Sequence, residues 1–562
     1  MPSVYPTNIL ASFNLARRSM AAQQTALNTI GHNLANAATP GYTRQRTELV
    51  PASPGGGVDV QDVRRIRDRF LDFSLLTEQQ ALGKNQAQDS MLQRLQAVFN
   101  DPPDVGLSSM LDQLFQGLQD LSVRPTDNAV RATVKDRAER LSATFQSMRT
   151  RIDQLKTDLT TEIQQRVTTA NNLLTQIGDL HRQIVAAQGG PAPNDLLDQR
   201  DKLVADLTQI VGVTATDRPN GTVQLAMSGT GVLLVDGTSV TKLTATLNGG
   251  TDTMDLTAGA TLAVTPKAGA LAAVLDARNS ATGAVKQAAT DLDTLAKAIV
   301  VEMNRLHASG SGLTGHTSLT ATNAVSSSAV ALTAAGLPVT PVSGTFKVYV
   351  YNGAGAVASS VTVTVTAGVT TLDGVQAAID ADANLTASIS GGKLTIGTAV
   401  GTTFGFAADS SDTLMALGLN TFFTGTDART IVVNPLISGD ATKIAAAKAD
   451  ATGLVHQGDG ANALGLAQLR TKLTMSSGTA TFTEFYGGAV GRVGSLARDA
   501  GQALERQQAA VQLVQSLQQQ TSGVSTDEEL ISLNQSQTAY AAAAKFATTI
   551  DDVIKTLLAL GG

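Results

Sequence analysis

The sequence predicts an α+β protein of several domains: an elongated helical stalk of long helices, closed by a terminal coiled-coil pair, with β-rich domains inserted into it. Three observations lead there. Apolar residues recur every seven positions near both termini, longer runs inside them keep a four-three spacing, and the middle of the chain turns to short alternating Thr-, Val- and Gly-rich runs.

Taken in order, Phe13, Met20, Leu27 and Leu34 form one row near the N-terminus, and Ile9, Ala16, Gln23 and Ile30 a second. Their spacing fits the two seam positions of a coiled coil. The C-terminus repeats it with Leu533, Tyr540, Ala547, Ile554 and with Ser536, Ala543, Ile550, Leu557. Small residues dilute both seams, so a single pair buries little apolar area at ~25 cal/mol per Å2 and gains order from neighbours. Inside these ends, Val134, Ala138, Leu141, Phe145, Met148, Ile152, Leu155 and Leu159 begin a helical run that continues through Ile163, Val167, Leu174, Ile177 and Ile184. Pro125-Thr126 marks its start and Gly189-Gly190-Pro191 its stop, giving a helix of about 60 residues and roughly 90 Å. Asn194 is expected to cap a shorter helix with Leu196, Leu197, Leu203, Leu207 and Ile210 on its inner face.

Residues 213–265 read as hairpins, with turns at Pro219-Asn220-Gly221, Gly229-Thr230-Gly231 and Asp236-Gly237. A second long helix is expected at about 270–308, with Val285, Ala288, Leu292, Leu295, Ile299, Met303 and Leu306 in phase. In 311–440, Phe346 to Tyr351 and Val361 to Val365 read as strands and Leu372 to Ile379 as a helix. The remainder returns to helix, broken near 453–465 and 477–488 by glycines. The expected domains are 1–60 with 515–562 as the terminal helices and polymerisation core; 61–212, 266–310 and 441–514 as the helical stalk; 213–265 as a β-hairpin segment; and 311–440 as an outer β-rich insertion.

Composition narrows the function classes. The net charge of −6 argues against a nucleic-acid partner. The densest basic cluster, Arg64, Arg65, Arg67 and Arg69, is interrupted by Asp62 and Asp68 and reads as a solvated helix start. Cysteine is absent, which removes disulfides, thiolate metal sites and thiol nucleophiles. Tryptophan is absent too, and aromatics make up 4%, less than stacking pockets draw on. No apolar stretch is long enough for membrane insertion, and the first residues lack the pattern of a cleavable signal peptide.

No motif for chemistry emerges. His32, His181, His307, His316 and His456 are not spaced as metal ligands. Asp195, Asp198 and Asp201 sit early in a helix, where they complement its dipole, with nothing else forming a site around them. Catalytic, cofactor-binding and metal residues are therefore all expected to be none, and the chain is expected not to be an enzyme.

The strongest local signal is Asn33-Leu34-Ala35-Asn36-Ala37-Ala38-Thr39-Pro40-Gly41-Tyr42-Thr43-Arg44. Read physically, it stops a helix near Asn36 and sends the chain away extended, with Tyr42 folded back. It resembles the N-terminal motif shared by flagellar rod, hook and hook-associated proteins. Ser522 to Leu530, with Gln537-Thr538-Ala539-Tyr540-Ala541-Ala542, resembles their C-terminus. Pro193 to Val204, Ile210 to Val213 and Asn304 to His307 resemble the first hook-associated protein, the hook–filament junction family. The resemblance covers roughly 5–310 and 440–562. The stretch 372–396 is similar to a small β-rich module of flagellins and hook-associated proteins.

This resemblance implies a structural protein of the bacterial flagellum that polymerises on the distal hook. Its partners would be the hook protein, a second hook-associated junction protein, copies of itself in one layer, and a cytoplasmic export chaperone on the C-terminal helix, roughly 525–562. It implies secretion through the flagellar export apparatus, with terminal helices that order on assembly around the export channel. The expected assembly residues are Phe13, Met20, Leu27, Leu34, Leu533, Tyr540, Ile550, Ile554 and Leu557, acting by burial between subunits. Alternatives are another axial protein (hook or distal rod), a surface adhesin on a helical stalk, which calls for a signal or anchor, and a peptidoglycan hydrolase, which calls for a cleft of paired carboxylates or metal ligands.

Overall fold

The computed structural model describes residues 7–52, 56–100, 102 and 105–560; the outermost positions of the expected terminal segments, 1–6 and 561–562, lie outside them. The chain opens with helix α1 (Thr7–Ala35), a hairpin of β1 (Gln45–Pro51) and β2 (Val58–Arg65), and helices α2 (Arg69–Val98), α3 (Leu107–Val123), α4 (Asn128–Ala186) and α5 (Asn194–Val211). Strands β3 (Val213–Asp217), β4 (Val223–Met227), β5 (Leu233–Asp236), β6 (Ser239–Val240), β7 (Leu243–Asn248), β8 (Thr253–Ala258) and β9 (Leu262–Ala263) follow, then α6 (Gly269–Asn279) and α7 (Ala284–His307). Next come β10 (Ser318–Thr320), β11 (Gly344–Tyr351), β12 (Val357–Val365), α8 (Leu372–Asp380), β13 (Leu385–Ser390), β14 (Lys393–Thr398) and β15 (Thr403–Ala407). Short α9 (Thr413–Leu417), β16 (Phe423–Thr424), β17 (Val432–Val433) and α10 (Pro435–Gly439) lead to α11 (Ala461–Gln468), α12 (Phe482–Ser522) and α13 (Thr526–Leu560).

These elements form two compact units. The first takes residues up to 91, 158–280 and 498 onward. In it α1 packs along α13 and against the β1–β2 hairpin. The end of α1 meets the start of α13, so the two terminal helices run antiparallel. Strands β3-β4-β5-β6 make one antiparallel meander and β7-β8-β9 another. His181 on α4 pins the first meander: its ring reaches the Gly237 carbonyl at 2.6 Å and accepts the Val223 N–H at 3.4 Å.

The second unit takes 92–157 and 281–497. Its β-rich part has two three-stranded sheets, β12-β11-β15 and β10-β14-β13, with α8 against the second. Phe346, Val348, Phe404, Phe406, Leu394, Ile396, Val375 and Ile379 share one core there. Arg131, on the stretch of α4 in this unit, is fully buried and donates to the Pro125 and Ile444 carbonyls at 2.8 and 2.7 Å.

The four-three run from Val134 to Ile184 is buried along its length in α4, a helix of 59 residues. Spacing alone sufficed there because the apolar row is unbroken. Elsewhere tertiary packing overrode local signals. The single helix expected at 270–308 is broken at Ser280–Gly283. Both amide groups of the Asn279 side chain bond the Met254 backbone, at 2.7 and 2.8 Å, which ties α6 to β8. The glycines at 487 and 488 do not end a helix: α12 runs through them, with Phe482, Tyr486 and Ala489 buried and Tyr486 stacked on Phe99. Glycine costs a helix ~1 kcal/mol, which burial of such side chains outweighs. Residues 61–65, expected as helical stalk, are strand β2.

Candidate functional site

The helix stop after α1 turns into a buried polar junction within the first unit. Asn33, 1% exposed, sits on the face of α1 that also buries Ala22, Ala26 and Thr29. Its Nδ2 donates to the Gln45 carbonyl at 2.8 Å and to Glu529 Oε2 at 3.0 Å. Its Oδ1 accepts the Gln45 N–H at 2.9 Å and the Tyr42 hydroxyl at 2.8 Å. Both donors and both lone pairs of that amide are used, so its orientation is fixed. Tyr42 in turn accepts from His32 Nδ1 at 3.0 Å. Burial first, and then the carboxylates of Asp195, Asp198 and Glu529, push the Tyr42 phenol up, so it stays protonated and donates.

Arg44 completes the contact between the chain ends. Its Nε and Nη1 donate to Glu529 Oε1 and Glu528 Oε2, each at 2.7 Å, and its N–H donates to the Ser522 carbonyl at 3.0 Å. Glu529 is 2% exposed. A buried carboxylate is tolerated only when charge-paired and hydrogen-bonded, and here Arg44 and Asn33 supply both.

A second layer comes from α5. Asn194 Nδ2 donates to the Val63 carbonyl at 2.7 Å and to Gln45 Oε1 at 3.2 Å. It does not cap α5, as its residue type suggested. Asp198 accepts the Thr43 N–H at 3.0 Å and Arg65 Nη1 at 2.7 Å; the same nitrogen reaches Asp201 at 2.8 Å, and Arg67 reaches Asp201 at 3.0 Å. Burial raises the Asp201 carboxyl, but Arg200, Arg67 and Arg65 outweigh it and hold the group below its ordinary value. Two readings of the sequence are corrected here. Arg65 and Arg67 are ion-paired rather than part of a solvated helix start. The inner face of α5 carries Asn194, Asp198 and Arg200 besides Val204 and Leu207, because it meets a charged hairpin; Leu196, Leu197, Leu203 and Ile210 are only half-buried.

The expected assembly residues are distributed unevenly. On α13, Ile550 is buried and Leu533, Tyr540 and Ile554 are half-buried, in phase with Glu529, while Leu557 is 50% exposed. On α1, Met20 and Leu27 are half-buried, but Phe13 is 43% exposed and Leu34 is exposed as well. The row Phe13–Leu34 is therefore not the face α1 buries in the chain. That face carries Ala16, Ala22, Ala26, Thr29, Ile30 and Asn33, and Leu34 lies ~100° round the helix from Asn33. Small residues let α13 and the hairpin approach together; Thr47 even bonds Thr29, hydroxyl to hydroxyl, at 3.0 Å. One available signal was missed: stepping the row Ser536, Ala543, Ile550 back by seven lands on Glu529, a charge at a seam position, which specifies register.

Among the described residues no cluster of three or more His, Asp or Glu is placed to hold a metal, and no helix is long and apolar enough to cross a membrane.

Comparison with known proteins follows the same three segments. Residues 92–320 match the family described as flagellar hook-associated protein FlgK helical domain. Residues 13–43 match the flagella basal body rod protein family, and 515–560 the C-terminal family of the flagellar basal body rod FlgEFG proteins. The flagellar hook-associated protein 1 of Salmonella typhimurium is 28% identical over 97% of this chain and 99% of its own. That of Bacillus subtilis is 32% identical over 38% of this chain; the aligned part spans 46% of the Bacillus protein. In fold, the chain is similar to the flagellar hook junction protein FlgK from Burkholderia pseudomallei, with TM-score 0.54, 18% identity, and coverage of 80% of this chain and 100% of that one. With a helical-domain match, rod-type matches at both ends and a relative aligned almost end to end, the chain is similar along nearly its whole length to the flagellar hook-associated protein 1 family.

Proposed function

We propose that this protein is a structural component of the bacterial flagellum that forms the junction between hook and filament by polymerising on the distal hook. The observation that carries the reading is the union of the two chain ends: Asn33, itself fixed by the Tyr42 hydroxyl, and Arg44 hold Glu529, and the helices so joined leave Phe13, Leu34 and Leu557 uncovered. A terminal pair that is held in register and still apolar outside suits burial between subunits more than chemistry. Phe13, Met20, Leu27, Leu34, Leu533, Tyr540, Ile550, Ile554 and Leu557 are the residues assigned to that packing. The partners are the hook protein, a second hook-associated junction protein and further copies of this chain. Before assembly, an export chaperone covers roughly 525–562, and the protein leaves the cell through the flagellar export apparatus. No catalysis is assigned to it.

The test is a deletion strain. It should build hooks, lack filaments and release filament protein into the medium, and the unsubstituted gene should restore swimming. Normal filaments on the deletion strain would end the proposal.

A further inference from the structure

We propose that His307 and His316 form an acid-sensitive clasp where the chain leaves α7 for the β-rich part of the second unit, and that their protonation loosens that part while the helices of the unit stay folded.

His307 is fully buried at the last position of α7. Its Nε2 accepts the Ala445 N–H at 2.9 Å, so Nδ1 carries the hydrogen and donates to the Asn420 carbonyl at 2.7 Å. Asn420 is buried in a left-handed conformation, φ 51°. Its amide nitrogen donates to the carbonyls of His307, Ala308 and Gly310 at 3.3, 3.2 and 3.0 Å, which closes the end of α7. Its oxygen faces His316 Nε2 at 3.2 Å, so that nitrogen is the donor. His316 is also bonded through its backbone to Phe404, N–H to carbonyl at 2.8 Å and back at 2.7 Å. The end of α7, the entry segment, the return at Asn420 and the exit at Ala445 thus meet at these two rings, and both nitrogens of His307 are satisfied by one neutral tautomer.

A proton on His307 Nε2 removes the acceptor of the Ala445 N–H and places a charge among groups that repel it. Phe422 packs on His307, and Phe404 and Phe406 on His316. The neighbouring charges are mostly cations: Arg131 from α4, bonded to Ile444, and Lys443, bonded to the Gly315 carbonyl at 2.8 Å. Asp440 is the carboxylate facing both of these. On α7, Arg305 is occupied by Glu302 and Asp412. Burial above all lowers both rings from 6.5 to about 4, with His316 and Arg131 adding to it at His307 and Lys443 at His316, against the opposing hydrogen bonds to Asn420. A folded value below the unfolded one makes the contribution complete above pH ~6.5 and progressively lost as pH falls toward ~4.

The test uses the full chain at pH 7 and pH 5, above the carboxylate range, with segment-resolved hydrogen exchange corrected for intrinsic rates. Protection at 308–316, 344–351 and 404–424 should fall ~10-fold or more at pH 5, while 134–157 keeps its protection. His307→Gln supplies a donor and an acceptor without titrating, and should shrink that fall several-fold, leaving the share that His316 contributes. Ring-proton NMR on the unsubstituted chain, which holds 5 histidines, reads the two protonations directly and serves if the Gln variant does not fold. Protonation of both rings near 6.5, an equal loss along 134–157, or an unchanged fall in the Gln variant would each overturn the clasp.

Discussion

Asn33 and Glu529 stand 496 positions apart and share a 3.0 Å hydrogen bond, both almost wholly buried. Asn33 spends its other bonds on Gln45 and Tyr42. One amide therefore sets the end of α1, the start of the hairpin and the start of α13 at once. Polar groups at such a point specify register, since any slip leaves several buried partners unsatisfied.

Asn33→Ala is expected to destabilise the first unit by at least ~2 kcal/mol, because it orphans Glu529 Oε2 and both backbone groups of Gln45, each orphaned group costing about 1–3 kcal/mol. Chemical denaturation followed by circular dichroism checks this; a change near zero would mean water replaces the amide.

Arg44→Ala should free the terminal pair selectively. Limited proteolysis is expected to trim about 30–60 residues from each end of the free protein first. With Arg44 and Asn33 in place, the cuts should fall at the short end of that range, outside 33–44 and 522–529; in the Arg44→Ala variant they should pass through both. Glu529→Gln, which keeps the bond to Asn33 without the charge, should fall between. Identical digestion of all three proteins would count against the junction.

Leu557→Asp and Ile550→Asp should separate assembly from folding. Leu557 is half exposed, so its substitution leaves the chain's melting unchanged and blocks incorporation, read as lost swimming in a complemented deletion strain. Ile550 is buried, so its substitution also lowers the stability of the chain itself, by ~2–4 kcal/mol. Normal motility with Leu557→Asp would remove that residue from the interface.

Gly83→Ala tests the contact of α2 with α5. A Cβ at this position would lie 2.0 Å from the Gln209 carbonyl oxygen, which is backbone and cannot rotate away. A loss of ~1–3 kcal/mol is expected. Unchanged melting would show that the helices separate freely there.

Asp201→Asn should flatten the acid limb of stability. The carboxyl is held below its ordinary value, so it contributes above pH ~4 and loses that contribution as pH falls through the folded value. Stability measured between pH 5 and 2 should fall less steeply in the variant; equal slopes would place the acid sensitivity elsewhere.

The sequence by itself determined the long helices, the β insertions and the partnership of the ends, because an unbroken four-three row fixes which face a helix must bury and matching seven-residue rows mark two helices as partners. It also supplied the three segments that carry the family likeness. Tertiary structure alone decided which face of α1 turns inward, since Phe13 and Leu34 yielded to Ala22, Ala26 and Asn33 where two elements needed close approach. It alone paired Arg65 with Asp198 and Asp201, 133 and 136 positions away. It also carried α12 through its glycines. Burying a charge depends on what is brought to meet it, and chain spacing holds no record of that partner.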